Sequence, residues 1–197
     1  MKKNKLKPLR IGKYIIKKIL KVRKIKSGID LGYLDGRHLI LLPKNSIGVD
    51  ISPKNTTMLR KLEYKIVISN LNNKLPFKNE SFDLAIITHV LEHLQAPYFT
   101  LMEIYRILKP NGILIAAVPN FHRIYRDPSK KYYHLYSFSI KTFKDLIKKT
   151  NFKIISEFFN WQKIDLVYFG LFWNFLLKLF HIKNYLAPDI WIIAKKY

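Results

Sequence analysis

The feature that most constrains this chain is a series of short segments apolar at nearly every position, separated by stretches with helical spacing. The segments read IDL at 29–31, SIGVDI at 46–51, YKIVIS at 64–69, FDLAIIT at 82–88 and ILIAAV at 113–118, followed by FKIISEFF at 152–159 and DIWIIAKK at 189–196. A strand with one wet face alternates apolar and polar residues, whereas a strand apolar throughout is covered on both faces, as in a parallel sheet flanked by helices. The sequence therefore predicts an α/β layer fold. The punctuation agrees. Ser52-Pro53 reads as a helix cap and first helical residue, and Lys109-Pro110-Asn111-Gly112 as the turn from a helix into a strand. Ser139 opens a helix with Ile140, Phe143, Leu146 and Ile147 on one stripe, which closes at Thr150-Asn151.

At 197 residues the chain is long enough for one domain with a substantial core. Its charge is less ordinary: 36 Lys and Arg against 13 Asp and Glu leave a net +23, which predicts attraction to phosphates of nucleic acid, anionic lipid or a charged substrate. Residues 1–26 hold 12 of those basic residues and no acid. On a helix over Leu9 to Lys24, Arg10, Lys13, Lys17, Lys21 and Lys24 share one face and Ile11, Ile15, Ile19 and Val22 the other. Residues 1–26 are thus read as a basic amphipathic helix and 27–197 as one domain, with an apolar helical insertion at about 161–187. There is no cysteine, which excludes disulfides, thiolate metal sites and a thiol nucleophile and fits cytoplasmic residence. The basic N-terminus lacks the apolar core and small-residue cleavage site of a secretory signal, so no export is expected. The longest apolar run, Leu166 to Leu177, contains Asn174, is bounded by Asp165 and Lys178, and is short for a bilayer span. Residues 1–26 and 161–187 together are candidates for peripheral contact with an anionic membrane surface.

Chemistry enters at Ile29-Asp30-Leu31-Gly32-Tyr33-Leu34-Asp35-Gly36-Arg37, a strand ending in a glycine-containing turn, with Asp50 at the end of the second strand. Glycines let a backbone approach a nucleoside cofactor closely, and a carboxylate at the tip of the next strand accepts hydrogen bonds from both ribose hydroxyls. Further blocks follow in order: Gly48-Val49-Asp50-Ile51-Ser52-Pro53, Leu75-Pro76-Phe77 with Ser81-Phe82-Asp83-Leu84, Val90-Leu91-Glu92-His93-Leu94, Arg106-Ile107-Leu108-Lys109-Pro110-Asn111-Gly112 and Val118-Pro119-Asn120. As a set, over about residues 27–158, they resemble the class I S-adenosylmethionine-dependent methyltransferases, specifically the small-molecule and glycan-associated group. The resemblance implies a Rossmann-like seven-stranded, mostly parallel sheet with helices on both faces and an antiparallel last strand at 189–196. S-adenosylmethionine would lie across the carboxyl ends of the first strands. Asp30, Gly32 and Gly36 would line its methionine end, Asp50 and Ile51 the ribose, Asn70 and Leu71 the adenine, and Thr88 and His89 the loop after the fourth strand.

Three positions depart from the family pattern. Leu34 stands where the family's middle glycine brings backbone to the cofactor, and costs about 1–2 kcal/mol if a positive φ is required there. Asn70 replaces a common aspartate, with its carbonyl left to meet the adenine amino group. Asn111 replaces the first glycine of the family's PGG turn, which Asn tolerates. His89-Val90-Leu91-Glu92-His93 fits the H-x-x-E-H zinc protease pattern, but Pro97 soon interrupts it and the methyltransferase block accounts for the same letters, so no metal is expected. Methyl transfer needs a base only where the acceptor must lose a proton, and the candidate is His134, before the Ser139 helix. Tyr132, Tyr133, His122 and Arg123 are candidates for shaping the acceptor pocket.

The sequence thus points to methyl transfer to an O or N atom of a small-molecule, glycan or lipid-linked acceptor. Two alternatives stand beside it: an RNA methyltransferase gripping phosphates through the basic surface, and a methyltransferase fold that has lost its cofactor and serves as an interaction module.

Overall fold

The computed structural model describes residues 10–52, 56–120, 134–159 and 189–197. Leu9, Pro53, His122, Arg123, Tyr132, Tyr133 and the helix expected over 161–187 lie outside the described residues, as does the side chain of Ile11.

The chain opens with α1 (Arg10–Val22), then runs β1 (Gly28–Leu31), a 3-10 turn at Leu39–Leu41, β2 (Ile47–Asp50), α2 (Thr56–Lys61), β3 (Lys65–Ile68) and β4 (Phe82–Thr88). A second 3-10 turn at Leu91–His93 precedes α3 (Pro97–Ile107), β5 (Leu108–Pro119), α4 (Ile140–Lys149), β6 (Lys153–Phe159) and β7 (Asp189–Lys195). The seven strands form one sheet in the order β3-β2-β1-β4-β5-β7-β6. From β3 across to β5 every pairing is parallel, and β7 runs antiparallel to both its neighbours. This is the mostly parallel sheet with a reversed last strand that the sequence predicts.

Alternate residues of the central strands feed two cores. Ala85 and Ile87 of β4, Leu114 and Ala116 of β5, and Ile190 and Ile192 of β7 pack with Leu101 and Ile104 of α3 and Phe143 and Ile147 of α4. Leu84 and Ile86, Ile113 and Ile115, and Trp191 and Ile193 face the other way, toward Ile15 and Ile16 of α1, Leu39 and Leu59. Strands buried on both faces are what the unbroken apolar runs require.

The helices follow their local signals. Ser139 caps α4 by accepting the Thr142 N–H at 3.2 Å, Thr142 Oγ1 accepts the Ser139 N–H at 2.9 Å in return, and Asn151 closes the helix at φ 65°. Helix α1 differs in one respect from the expected stripe: Val22 is 71% exposed, and Ile16 is fully buried beside Ile15. The buried side is centred on Gly12, Ile15 and Ile16, and at about 100° per residue Val22 falls on its flank, in the last turn.

Strand β5 begins before the turn that was to precede it. Leu108 already pairs with Phe82, while the next register pair is Leu84 with Ile113, so Lys109–Gly112 bulges out of the strand. Asn111 takes φ 64° within that bulge, as its side chain permits.

From β1 the chain moves outward through β2 to β3 and returns to place β4 on the other side of β1. Such a reversal opens a crevice beyond the carboxyl ends of the two strands that straddle it. Leu31 sits between Val49 and Ile87, so the ends of β1, β2 and β4 lie level at that crevice. Among the described residues, no helix is long and apolar enough to cross a membrane.

Candidate active site

The turn after β1 is fixed to β2 by two hydrogen bonds, from the N–H groups of Gly32 (2.7 Å) and Tyr33 (3.4 Å) to the Val49 carbonyl, and the Gly36 N–H closes it on Tyr33 at 2.7 Å. Gly32 and Gly36 have φ of 75° and 76°. A Cβ at Gly32 would collide with Val90 of the loop after β4, and one at Gly36 with Leu59 of α2. Both glycines therefore serve conformation and close approach at once. Leu34 lies between them at φ 48°, so the position does require the left-handed region, and a leucine occupies it at a cost of about 1–2 kcal/mol. Its side chain is 65% exposed.

That strained backbone has a function in the turn. The Leu34 N–H donates to Asp50 Oδ2 at 3.1 Å and the Ser52 N–H to Asp50 Oδ1 at 3.0 Å. Each carboxylate oxygen keeps lone-pair capacity beyond these bonds. Asp50 is thus held at the tip of β2, half-buried, next to an exposed Ile51.

Asp30, at the end of β1, is 1% exposed, and its Oδ2 has no hydrogen-bond partner. Burial pushes its carboxyl up to about 7, with the charges of Asp35 and Asp50 adding and the Leu39 backbone N–H opposing. Asp35 is held below the usual carboxylate range by its hydrogen bonds and ion pair to Arg37, which outweigh its partial burial.

The structure differs from expectation beyond β3. Asn70 Oδ1 already accepts the Asn72 N–H at 2.9 Å and Asn72 Nδ2 at 3.1 Å, so the carbonyl expected to meet an adenine amino group is committed to its own loop. Asn72 Oδ1 in turn accepts the Gln95 N–H at 2.8 Å, and Thr100 Oγ1 donates to the Leu71 carbonyl at 2.8 Å. The Leu71 side chain is a core residue. These bonds tie the loop after β3 to the segment before α3 and to α3 itself.

At the end of β4, Thr88 Oγ1 lies 3.3 Å from His38 Nδ1. Burial, aided by Arg37, pushes His38 down to about 4, so that imidazole is neutral at physiological pH. His89 has φ 55° and donates its N–H to the Ala117 carbonyl at 2.9 Å. Its ring lies between two carboxylates, with Nδ1 at 3.8 Å from Glu92 Oε1 and Nε2 at 3.6 Å from Asp189 Oδ1.

Glu92 is 1% exposed, and neither of its oxygens has a hydrogen-bond partner. Burial raises its carboxyl to about 7, with Asp189 adding and its own backbone N–H opposing. The Glu92 carbonyl accepts the N–H groups of Leu135 (2.8 Å) and Tyr136 (3.1 Å), which pins His134 beside the 3-10 turn. The His93 and His134 rings meet edge-on, 4.7 Å apart. The zinc protease arrangement is not formed: Leu91–His93 is a 3-10 turn preceded by a left-handed His89, so no α-helix sets two histidines one turn apart. A different set gathers instead, with ligand atoms of Glu92, His93 and His134 all within 4.8 Å of one another.

The structure therefore brings Asp30, Gly32, Gly36, Asp50, Thr88 and His89 to one edge of the sheet, with His134 at the β4 side. The sequence left Glu92, His93, His38 and Asp189 without a role. For the first two, the signal was the Leu91-Glu92-His93 block itself, which marks a family without saying that the carboxylate turns inward.

Comparison with known proteins accords with this geometry. The family profile described as a methyltransferase domain matches residues 29–116. An uncharacterized protein of Methanocaldococcus jannaschii is 32% identical over 136 residues, 65% of this chain and 65% of that protein. A ubiquinone/menaquinone biosynthesis C-methyltransferase of Ruegeria sp. is 39% identical over 66 residues, 34% of this chain and 26% of that one. The chain spans less than two thirds of the length of these curated relatives. Among solved structures, a SAM-dependent methyltransferase from Archaeoglobus fulgidus superposes with a TM-score of 0.68 over 94% of each chain at 20% identity, a likeness of fold.

Proposed function

We propose that this chain, whose residues 29–116 match a methyltransferase domain, carries a methyl group from S-adenosylmethionine to a nucleophilic oxygen or nitrogen of a small-molecule, glycan or lipid-linked acceptor. The observation that carries the reading is Asp50. Two backbone N–H groups aim its carboxylate from the tip of β2 across the glycine turn, the placement a ribose diol requires.

The residues present fit the cofactor. Asp50 has acceptor capacity for two hydroxyls, the turn from Gly32 to Gly36 offers backbone at close range, and Asp30 Oδ2 is a buried acceptor lacking the donor that an ammonium group brings. When bound, S-adenosylmethionine supplies an electrophilic sulfonium methyl group. The chain's own part would then be positional: the turn between Gly32 and Gly36 would present its backbone, Asp50 would hold the ribose, and Val90 and His89 would bound the β4 side. An acceptor entering beside β4 meets the imidazoles of His93 and His134, the first exposed and the second part-buried.

Calorimetric titration of the full-length protein with S-adenosylmethionine and S-adenosylhomocysteine tests the reading. Micromolar binding that weakens at least tenfold in Asp50→Ala, with an unchanged circular dichroism spectrum, is the expected result, since each hydrogen bond to a charged group contributes about 1.5–3 kcal/mol. No binding at millimolar ligand would leave the interaction-module alternative standing in its place. Acceptor screening follows, and transfer to carbon, the chemistry named for the Ruegeria relative, would correct the choice of acceptor atom.

A further inference from the structure

We propose that Glu92, His93 and His134 hold one divalent transition-metal ion beside the carboxyl end of β4, with open coordination positions for the oxygens of an acceptor. Metal binding stands on its own geometry; only the role given to the acceptor rests on the methyltransferase reading.

The first observation is convergence. One ligand atom from each of the three residues lies within 4.8 Å of the others. Glu92 Oε1 is 3.8 Å from His93 Nε2, and the His93 and His134 rings are in edge contact. Bonds of about 2.0–2.2 Å to a common ion place tetrahedral ligand atoms about 3.4 Å apart. Small rotations of two imidazoles at the surface close the difference, because His93 and His134 are only partly buried or exposed.

The second observation is the carboxylate. Both Glu92 oxygens are sealed from solvent without a hydrogen-bond donor, a state proteins rarely leave uncompensated. A cation between Glu92 and the two histidines supplies the missing partner. The carboxylate cannot swing away, since it sits on a short 3-10 turn whose Glu92 carbonyl is tied to Leu135 and Tyr136. Those same bonds hold His134 in place although it comes from a distant part of the chain.

The donor set selects the ion. Two imidazoles and one carboxylate suit Zn2+, Mn2+, Fe2+ or Co2+, while Mg2+ and Ca2+ prefer oxygen alone. His89 lies outside the set, between Glu92 and Asp189, where a carboxylate–histidine pair steadies ligands. Three protein ligands leave room for a hydroxyl or a vicinal pair of oxygens on the acceptor. Such an ion lowers the pKa of a bound hydroxyl and orients its lone pair, so His134 serves here as a ligand and not as the base. The expectation of no metal rested on Pro97 interrupting the H-x-x-E-H pattern and on the methyltransferase block accounting for the same letters; this set uses His134 instead.

The test is titration of tag-free, metal-stripped full-length protein with Co2+, read by visible absorption, followed by competition with Zn2+. The expected result is a saturable d–d band at one equivalent that Zn2+ abolishes. Affinity should fall by about 10–100-fold or more in His134→Ala, and likewise in Glu92→Gln. Because Glu92 is buried, His134→Ala, at the surface, is the decisive variant, with thermal melting as the check on its fold. Absence of a stoichiometric band, or a band that persists unchanged in folded His134→Ala, overturns the proposal. S-adenosylhomocysteine titration of the same sample keeps the two readings apart. Cofactor binding without Co2+ binding overturns the metal site alone, and Co2+ binding without cofactor binding overturns the methyltransferase reading alone.

Discussion

Leu34 holds a left-handed backbone conformation that costs a leucine about 1–2 kcal/mol and a glycine nothing in strain, although glycine surrenders about 0.5–1 kcal/mol in unfolded-state entropy. Leu34→Gly should therefore leave stability unchanged or raise it by up to about 1 kcal/mol, and should bind S-adenosylhomocysteine at least as tightly; a lower melting temperature would show that the leucine side chain has a partner worth more than its strain. Asp30 makes a second prediction. Its carboxyl is raised to about 7 by burial, so between about pH 4 and pH 7 the native state keeps a proton that the unfolded chain releases, and stability falls as pH rises through that window. Asp30→Asn should raise the melting temperature at about pH 8, change it little at about pH 4, and flatten the curve between; Glu92, shifted in the same direction, keeps the flattening partial. Parallel curves for variant and parent would remove Asp30 as the cause. At this scale the sequence is legible where chemistry is local: Gly32, Gly36 and Asp50 are readable because a turn and the tip of the next strand sit at fixed spacing. The committed carbonyl of Asn70 and the inward Glu92 are not readable, because each depends on which neighbour the loop selects.

Gly12 shows what a helix can hide. It lies inside α1, where a glycine costs about 1 kcal/mol relative to alanine, so Gly12→Ala reads from sequence as a stabilising change. In the structure a Cβ there would stand 2.7 Å from His38 Nε2 and 3.0 Å from Trp191 Cη2. The glycine lets α1 seat on the sheet. We expect Gly12→Ala to lower stability by about 1–3 kcal/mol through overpacking, measured by denaturant unfolding; a gain would mean that α1 shifts without loss. Strand positions are legible to within a residue or two, as in Phe82–Thr88, because unbroken apolar runs have no other economical burial. The early start of β5 is not, because Leu108 joins the sheet through a bulge whose only local sign is Asn111-Gly112. Nor is the rotation of α1 that buries Ile16 and exposes Val22, since both fit an apolar stripe and the docking partner decides between them.

The whole molecule carries +23, and α1 turns Lys13, Lys17, Lys18 and Lys21 to solvent while Ile15 and Ile16 are buried. A basic face thus lies on the outside of the sheet. We expect salt-screened association with anionic vesicles, each lysine near the lipid surface contributing about 1 kcal/mol, and charge reversal at Lys17 and Lys21 should reduce it without lowering the melting temperature. Co-sedimentation measures both, and a salt-independent response would assign the interaction to apolar contacts. The reversed strand β7 has a consequence in time. It lies between β5 and β6 and carries Trp191, against which Gly12 of α1 packs. Residues 10–22 precede residues 189–195 by most of the chain, so Ile15 and Ile16 can meet Leu39, Leu84 and Ile113 first, and only the contact of Gly12 waits for Trp191. A chain halted before residue 189 would thus keep much of the floor beneath Ile15 and Ile16 but lose the indole that Gly12 was shaped to meet, leaving a notch in its wall.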